Sequence, residues 1–226
     1  MQKTAVITGA GTGIGFATVT KFLNEGWRVF AVYHESWPDI DGDIIRQKVD
    51  LMDHNSIVVA AAEVARYMPE IDVLVNCAGV LLDGDETGAD VEKMRRTFEV
   101  NVFGTIDFAE RLLPFVVDGG HIINVGSVMG AFAAPPADST AIGYRMSKAA
   151  LHMYTRALAL RLAERDVCVS ALHPGWVDTM MGRSVADEVS RPNRTPAEAA
   201  EDIYALAVRS SVETGMFWER GEVRGW

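Results

Sequence analysis

Thr8-Gly9-Ala10-Gly11-Thr12-Gly13-Ile14-Gly15 is the stretch from which the rest of the chain is read. A β-branched run at 4–8 leads into it, and a segment with apolar residues at helical spacing, 14–24, leads out and stops near Gly26. Strand, glycine-rich turn and helix in that order bring backbone N–H groups and the positive end of a helix dipole to one point, which suits the pyrophosphate of a dinucleotide. Missing Cβ atoms let the backbone approach the phosphates. Glycine-rich turns also serve as plain strand-to-helix connections, so the flanks carry the inference.

Outward from this turn, short β-branched runs alternate with longer helical patterns. Strands are expected at 4–8, 28–32, 44–49, 73–76, 121–125 and 167–172, with a shorter one at 215–218. Helices are expected at 14–24, from a cap at Asp53 or Asn55 to about Met68, along 90–117 with a bend near Gly104, and at 144–164. The polar, proline-marked stretch 34–43 replaces the crossover helix between the second and third strands. This alternation predicts an α/β fold: a single-domain, Rossmann-like, doubly wound parallel sheet of about seven strands with helices on both faces, spanning 1–226.

Composition narrows the partners. With 31 acidic and 21 basic side chains among 226 residues, the formal charge is −10, which argues against a nucleic-acid backbone or an anionic membrane surface. Hydrophobic residues at 49% suffice for a core. No apolar stretch near a terminus is long enough to span a bilayer, and Met1-Gln2-Lys3 leads directly into the first strand, so no secretory segment and a cytoplasmic setting are expected. Cys77 and Cys168 are expected as buried thiols beside strands, with no metal site.

The spacing Gly9-x3-Gly13-x-Gly15 departs from G-x-G-x-x-G and resembles the T-G-x-x-x-G-x-G fingerprint of the short-chain dehydrogenase/reductase family. The resemblance continues through Asn76-Cys77-Ala78-Gly79, Asn101, Ser127, Tyr144-Arg-Met-Ser-Lys148, and Pro174-Gly175 with Thr179, six matches in the family's order. The tail Thr214-Gly-x-Phe217, ending in Trp226, is similar to that of the carbonyl-reductase-like branch that contains the C-factor proteins. Membership would imply one NAD(P)-binding catalytic domain that moves hydride between nicotinamide and a carbonyl or alcohol.

Tyr144 and Lys148 stand four apart on an expected helix and so share a face. A free tyrosine has a pKa of about 10, and a neighbouring ammonium favours the phenolate, so Lys148 is expected to lower it towards neutrality. By resemblance, Lys148 also holds the nicotinamide ribose and the backbone carbonyl of Asn101 holds a relay water. Ser127, expected at the carboxyl end of a central strand, can hydrogen-bond a substrate oxygen. Taken singly, these would be an exposed helical pair, a turn serine and a polar cap; their order behind a phosphate turn favours catalysis. His121 and His173 have no G-x-S-x-G elbow nearby and are read as structural.

The resemblance further implies cofactor contacts from Gly9, Gly11, Thr12, Gly13, Ile14, Gly15, Tyr33, His34, Asp50, Leu51, Asn76, Ala78, Gly79, Tyr144, Lys148, Pro174, Gly175, Val177 and Thr179. NAD and NADP are left even. His34 falls where the branch tends to carry arginine, yet Glu35, Asp39, Asp41 and Asp43 would repel a 2′-phosphate if they line that pocket. Substrate identity is expected in 128–143 and 180–195, where Met129, Phe132, Pro135, Pro136, Met180 and Met181 suggest an apolar, adaptable pocket. The Ala/Leu-rich helix 144–164 suggests a homo-oligomer, dimer or tetramer, since related family members pair through it. The alternatives are a dinucleotide-binding signalling protein of the same fold, and a reductase of quinonoid pteridines suggested by the short second-to-third-strand connection.

Overall fold

The structure, a computed structural model, describes residues 2–133, 138–187 and 189–226. Pro135 and Pro136, assigned above to a pocket wall, lie outside the described residues. Among the described residues, eight strands form one sheet in the order β3-β2-β1-β4-β5-β6-β7-β8: β1 Thr4–Thr8, β2 Arg28–Tyr33, β3 Ile44–Lys48, β4 Ile71–Asn76, β5 Val116–Val125, β6 Cys168–Leu172, β7 Met216–Glu219 and β8 Glu222–Arg224. All neighbours pair parallel except β7 and β8. The expected count of seven therefore becomes eight. The extra strand is three exposed residues beyond a tight turn, too short and too polar to show an alternating pattern.

Helices cover both faces because the inner strands are apolar on both sides. On one face α1 (Gly13–Asn24) and α7 (Pro196–Ala207) bury Val19, Phe22, Ile203 and Leu206 against β1, β2 and β4. Phe22 meets Trp27 and Tyr204 edge-on at 4.9 and 5.1 Å. On the other face α2 (His54–Tyr67), α4 (Thr105–Leu112) and α5 (Ile142–Arg161) contribute Ile57, Val64, Phe108, Leu112 and Leu158. Asp53 caps α2, accepting from the Asn55 amide.

The helix expected over 90–117 is interrupted where the bend was placed. The α3 helix (Val91–Phe98), capped by Asp90, widens into a π-helical turn at Glu99–Gly104 before α4, and a 3₁₀ turn, Leu113–Phe115, closes the run at β5. Gly104 permits the contact that accompanies the irregularity: a Cβ there would lie 2.0 Å from the Leu51 carbonyl oxygen. Two further helices, α6 (Met180–Ser184) and α7, fall in stretches where none was expected. The signal for α7 was present in Thr195-Pro196-Ala197-Glu198, which forms a reciprocal capping box with proline in the first turn.

Strand order reverses across β1, with β2 on one side and β4 on the other, so the crevice outside the carboxyl ends of β1 and β4 is the natural ligand position. No helix among the described residues is long and apolar enough to cross a membrane. Cys77 and Cys168 are free and only half-buried, because each flanks a strand end and not a strand centre. His121 is buried and bonds the Ser170 hydroxyl at 2.9 Å, a core histidine held neutral by burial, with its pKa lowered to about 4.

Candidate functional site

The turn after β1 is built by close backbone approaches. Gly9 has φ +70°, and a Cβ on it would lie 2.9 Å from backbone atoms of Ala78; one on Gly15 would lie 2.1 Å from the Gly9 carbonyl oxygen. One on Gly11 would lie 2.3 Å from the Ser36 carbonyl oxygen, so the 34–43 loop presses on this turn. The Thr8 hydroxyl accepts from the Cys77 and Ala78 amides, both at 3.1 Å, joining the turns after β1 and β4. Thr12 takes the N-cap position of α1 without a side-chain cap bond, so Gly13, Ile14 and Gly15 open a helix whose end is left for another acceptor.

At the ends of β2 and β3, Tyr33 packs on Trp37, which also meets Phe16 edge-on and lies under Arg46. This aromatic anchor orders a loop that has no helix. His34 is exposed, with Nε2 at 3.9 Å from the Asp50 carboxylate, and Asp50 also accepts from the Met52 amide. Leu51 is buried. An imidazole and two acids, Glu35 and Asp50, therefore share this rim.

Inside the sheet, Asn76 Nδ2 donates to Asn124 Oδ1 at 2.8 Å, and Asn124 Nδ2 donates to the Thr155 hydroxyl at 2.9 Å. The chain ties β4 to β5 and then to α5. Asn76 Oδ1 is buried without a partner among the described residues.

Ser127, Tyr144 and Lys148 come together beyond β5. Lys148 is 4% exposed and its Nζ donates to the Val125 carbonyl at 2.8 Å, 5.6 Å from the centre of the Tyr144 ring. Burial pulls its pKa down to about 8. Tyr144 differs from expectation: burial pushes the phenol up to about 12, while the nearby Ser127 hydroxyl opposes the shift. Desolvation of the phenolate dominates the shift, and the Lys148 ammonium is directed at the Val125 carbonyl. Asn101, inside the π-helical turn, is 1% exposed and clamps Val80: its Oδ1 accepts from the Val80 amide at 2.7 Å, and its Nδ2 donates to the Val80 carbonyl at 2.9 Å and to the Ser147 hydroxyl at 3.1 Å. Gly79 lies at this junction, where a Cβ would be 3.2 Å from Asn101 Oδ1 and 3.6 Å from Lys148 Nζ.

Beyond β6, Pro174, Gly175, Val177 and Thr179 return towards the glycine turn, and a Cβ on Gly13 would lie 3.0 Å from the Thr179 methyl. Gly175 has φ +84° beneath the Arg194 side chain, whose guanidinium donates to the Pro174 carbonyl at 2.8 Å. The cavity in this region, about 480 Å³, is lined by Asp178, Arg183, Ala186, Asp187, Arg191 and Pro192. Its lining is largely charged, and Met180 beside it is 86% exposed.

Two supporting residues had no sequence signal. Asp83, buried after β4, accepts from the Gly143 and Tyr144 amides. His152 is buried one turn after Lys148, and its Nε2 accepts from the Ser127 amide at 3.3 Å. Its ring lies against Phe217 and Trp226 at 4.6 and 5.2 Å, which gives the aromatic tail residues a packing role, and burial keeps it neutral with a pKa lowered to about 4. His173, 3.8 Å from Glu219, is likewise lowered to about 4 by burial.

The chain matches the short chain dehydrogenase family over residues 3–190. It is 32% identical to an uncharacterized oxidoreductase of Staphylococcus saprophyticus over 224 residues, covering 93% of this chain and 94% of that protein. Among solved structures it resembles a short-chain dehydrogenase/reductase of Serratia marcescens, with TM-score 0.86 and 26% identity over 97% of this chain and 96% of that one. It also resembles the NADPH-bound carbonyl reductase from chicken fatty liver, with TM-score 0.85 and 25% identity over 100% and 99% of the two chains.

Proposed function

The chain is an oxidoreductase of the short-chain dehydrogenase family, and on that premise we propose that it interconverts a carbonyl and an alcohol in a small molecule with NAD(P), Tyr144 moving the proton. The observation that carries this reading is the meeting of Ser127, Tyr144 and Lys148 in a largely buried cluster at the carboxyl end of β5. The residues fit a dinucleotide: glycines 9, 11 and 15 leave backbone where a side chain would collide, α1 begins without a side-chain cap, and Gly79 adjoins Lys148. The turn with Gly9, Gly11, Thr12, Gly13, Ile14 and Gly15 would hold the pyrophosphate, and Tyr33, His34, Asp50, Leu51, Asn76, Ala78 and Gly79 the adenosine side. Pro174, Gly175, Val177 and Thr179 would meet the nicotinamide. When bound, the nicotinamide supplies or accepts the hydride.

In reduction, Tyr144 releases its hydroxyl proton to the substrate oxygen as that oxygen gains charge, and the Ser127 hydroxyl donates a hydrogen bond to the same atom. Lys148 stabilises the phenolate left behind. By the family resemblance, the Asn101 peptide carbonyl would hold the water of a proton relay, while its side chain is committed to Val80 and Ser147. Burial raises the phenol to about 12, so the group is protonated at neutral pH and is available as the proton donor in reduction. Segments 128–143 and 180–195 of the one catalytic domain would form the substrate walls. A homo-oligomer through α5 is part of the proposal, because Met146, Met153 and Leu160 recur seven apart on that helix at 48, 61 and 82% exposure. Sedimentation of a monomer at micromolar concentration would remove that element.

The decisive test is oxidation of NADH or NADPH with a panel of ketones, aldehydes and quinones, comparing the wild type with Tyr144→Phe. Loss of an acid group predicts turnover lower by about 10²–10⁴-fold with cofactor affinity unchanged. A variant that keeps near wild-type rates excludes Tyr144 as the acid.

A further inference from the structure

The helix that carries Tyr144 has no side-chain cap of its own, a property it shares with α1 and α4. Asp53, Asp90, Thr179 and Thr195 cap α2, α3, α6 and α7 with their own side chains from extended backbone. The N-cap position of α5 is Ala141, which has no side-chain acceptor and stands in the left-handed region at φ 56°. The acceptor comes instead from 60 residues upstream, where Asp83 Oδ2 takes the Gly143 amide at 2.6 Å and Oδ1 approaches the Tyr144 amide at 3.4 Å.

Asp83 is 1% exposed, and a carboxylate at that depth is costly unless donors and a favourable dipole surround it. The first-turn amides of a 20-residue helix supply both. Residue 143 is glycine where a Cβ would lie 3.0 Å from Asp83 Oδ2 and 2.8 Å from Met94 Cγ, so the approach depends on its absence. The Ala141 amide donates to the Glu86 carbonyl at 3.2 Å, and the Glu86 side chain pairs with Lys93. At its other end the same segment is clamped at Val80 by Asn101, which also bonds Ser147 of α5. The 80–86 segment is thus tied to the first turn of α5 by Asp83 and, through Asn101, to Ser147 in its second turn.

We propose that Asp83 is the positioning residue of Tyr144: its carboxylate, bound to the Gly143 and Tyr144 amides, fixes the first turn of α5 and so places the phenol beside Ser127. The proposal rests on Tyr144 being the proton donor. A displaced acid group loses rate while the cofactor turn, built elsewhere, keeps its affinity.

The test compares Asp83→Ala and Asp83→Asn with the wild type by two readouts. Amide hydrogen exchange should accelerate at least about tenfold in the first turn of α5 in the alanine variant and stay unchanged in its last turn, around Leu158, because only the cap is lost. On the carbonyl compound that the wild type reduces fastest, kcat of Asp83→Ala should fall at least about tenfold, with the NADH and NADPH dissociation constants within about twofold. Asp83→Asn, which keeps one acceptor oxygen for the Gly143 amide, should recover most of both effects. Exchange that is unchanged, or faster equally at both ends of α5, overturns the proposal. So does an unchanged kcat in Asp83→Ala where Tyr144→Phe abolishes turnover. If Tyr144→Phe itself stays active, the parent reading fails, and the exchange measurement still decides whether Asp83 holds the helix start.

Discussion

The glycine turn at 8–15 and the cluster around Tyr144 both sit at the carboxyl end of the sheet, yet they are built in opposite ways. The turn consists of eight consecutive residues, and what matters in it is absent atoms: Cβ positions at 9, 11 and 15 that would fall 2.1–2.9 Å from backbone. The cluster draws on residues 83, 101, 127, 144, 148 and 152, and what matters in it is buried polar contact: a carboxylate on two amides, a lysine on a carbonyl, an imidazole on an amide. A site of the first kind is intolerant of added volume and indifferent to pH. A site of the second kind is sensitive to lost hydrogen bonds and to protonation.

The largest expected effect separates the two regions by function. Tyr144→Phe should cost turnover and leave cofactor affinity intact, as set out above; if affinity falls in parallel with rate, the regions are not independent.

Acid should act on the cluster half of the molecule. His121, His152 and His173 are lowered to about 4 by burial, whereas His34 and His54, on the turn side, are exposed. Between pH 6.5 and about 4 these three groups are neutral when folded and protonated when unfolded, so the unfolded state binds more protons and stability falls as pH falls. Each group can remove up to about 3 kcal/mol by the lower end of that window. Denaturant unfolding at pH 7, 5.5 and 4.5 should show a progressive loss, reduced in His152→Asn; equal stability at all three pH values would contradict burial of the neutral rings.

Lys148 belongs to both regions, since it adjoins Gly79 on one side and Tyr144 on the other. Lys148→Ala removes a charged hydrogen bond worth about 1.5–3 kcal/mol, and so should weaken NAD(P)H binding by roughly ten- to a hundredfold while also lowering kcat. A loss confined to kcat in fluorescence titration and steady-state kinetics would place Lys148 wholly in the proton-moving cluster.

The smallest change tests the turn. Gly15→Ala puts a methyl into backbone space, and overpacking costs about 1–3 kcal/mol; the expected result is cofactor affinity weakened about fivefold to a hundredfold with kcat at saturation nearly unchanged. Wild-type affinity in this variant would show that the Gly9–Gly15 contact relaxes freely.

Legibility followed the same division. The turn, strands β1 and β2, helix α1 and the loop at 34–43 lie where the residue pattern placed them, because each depends on neighbours within a few positions. Tyr144 and Lys148 were found together because four residues on a helix bring side chains to one face. The acid strength of Tyr144 was not legible: a lysine four residues away can be read from the chain, whereas the burial that pushes the phenol to about 12 comes from elements far from it in sequence.

By itself, the amino-acid order determined the alternation of strand and helix, the glycine positions at which the backbone must come close, and the pairing of Tyr144 with Lys148, all matters of short-range spacing and steric exclusion. Tertiary structure alone decided that Asp83 caps α5, that His152 holds the Ser127 amide beneath Phe217 and Trp226, that Asn76 reaches Thr155 through Asn124, and that β8 closes the sheet edge. The physical reason is that a buried hydrogen bond between residues 25 to 60 positions apart leaves no period in the chain. It exists only because the sheet has already brought those segments together and excluded the water that would otherwise satisfy each group alone.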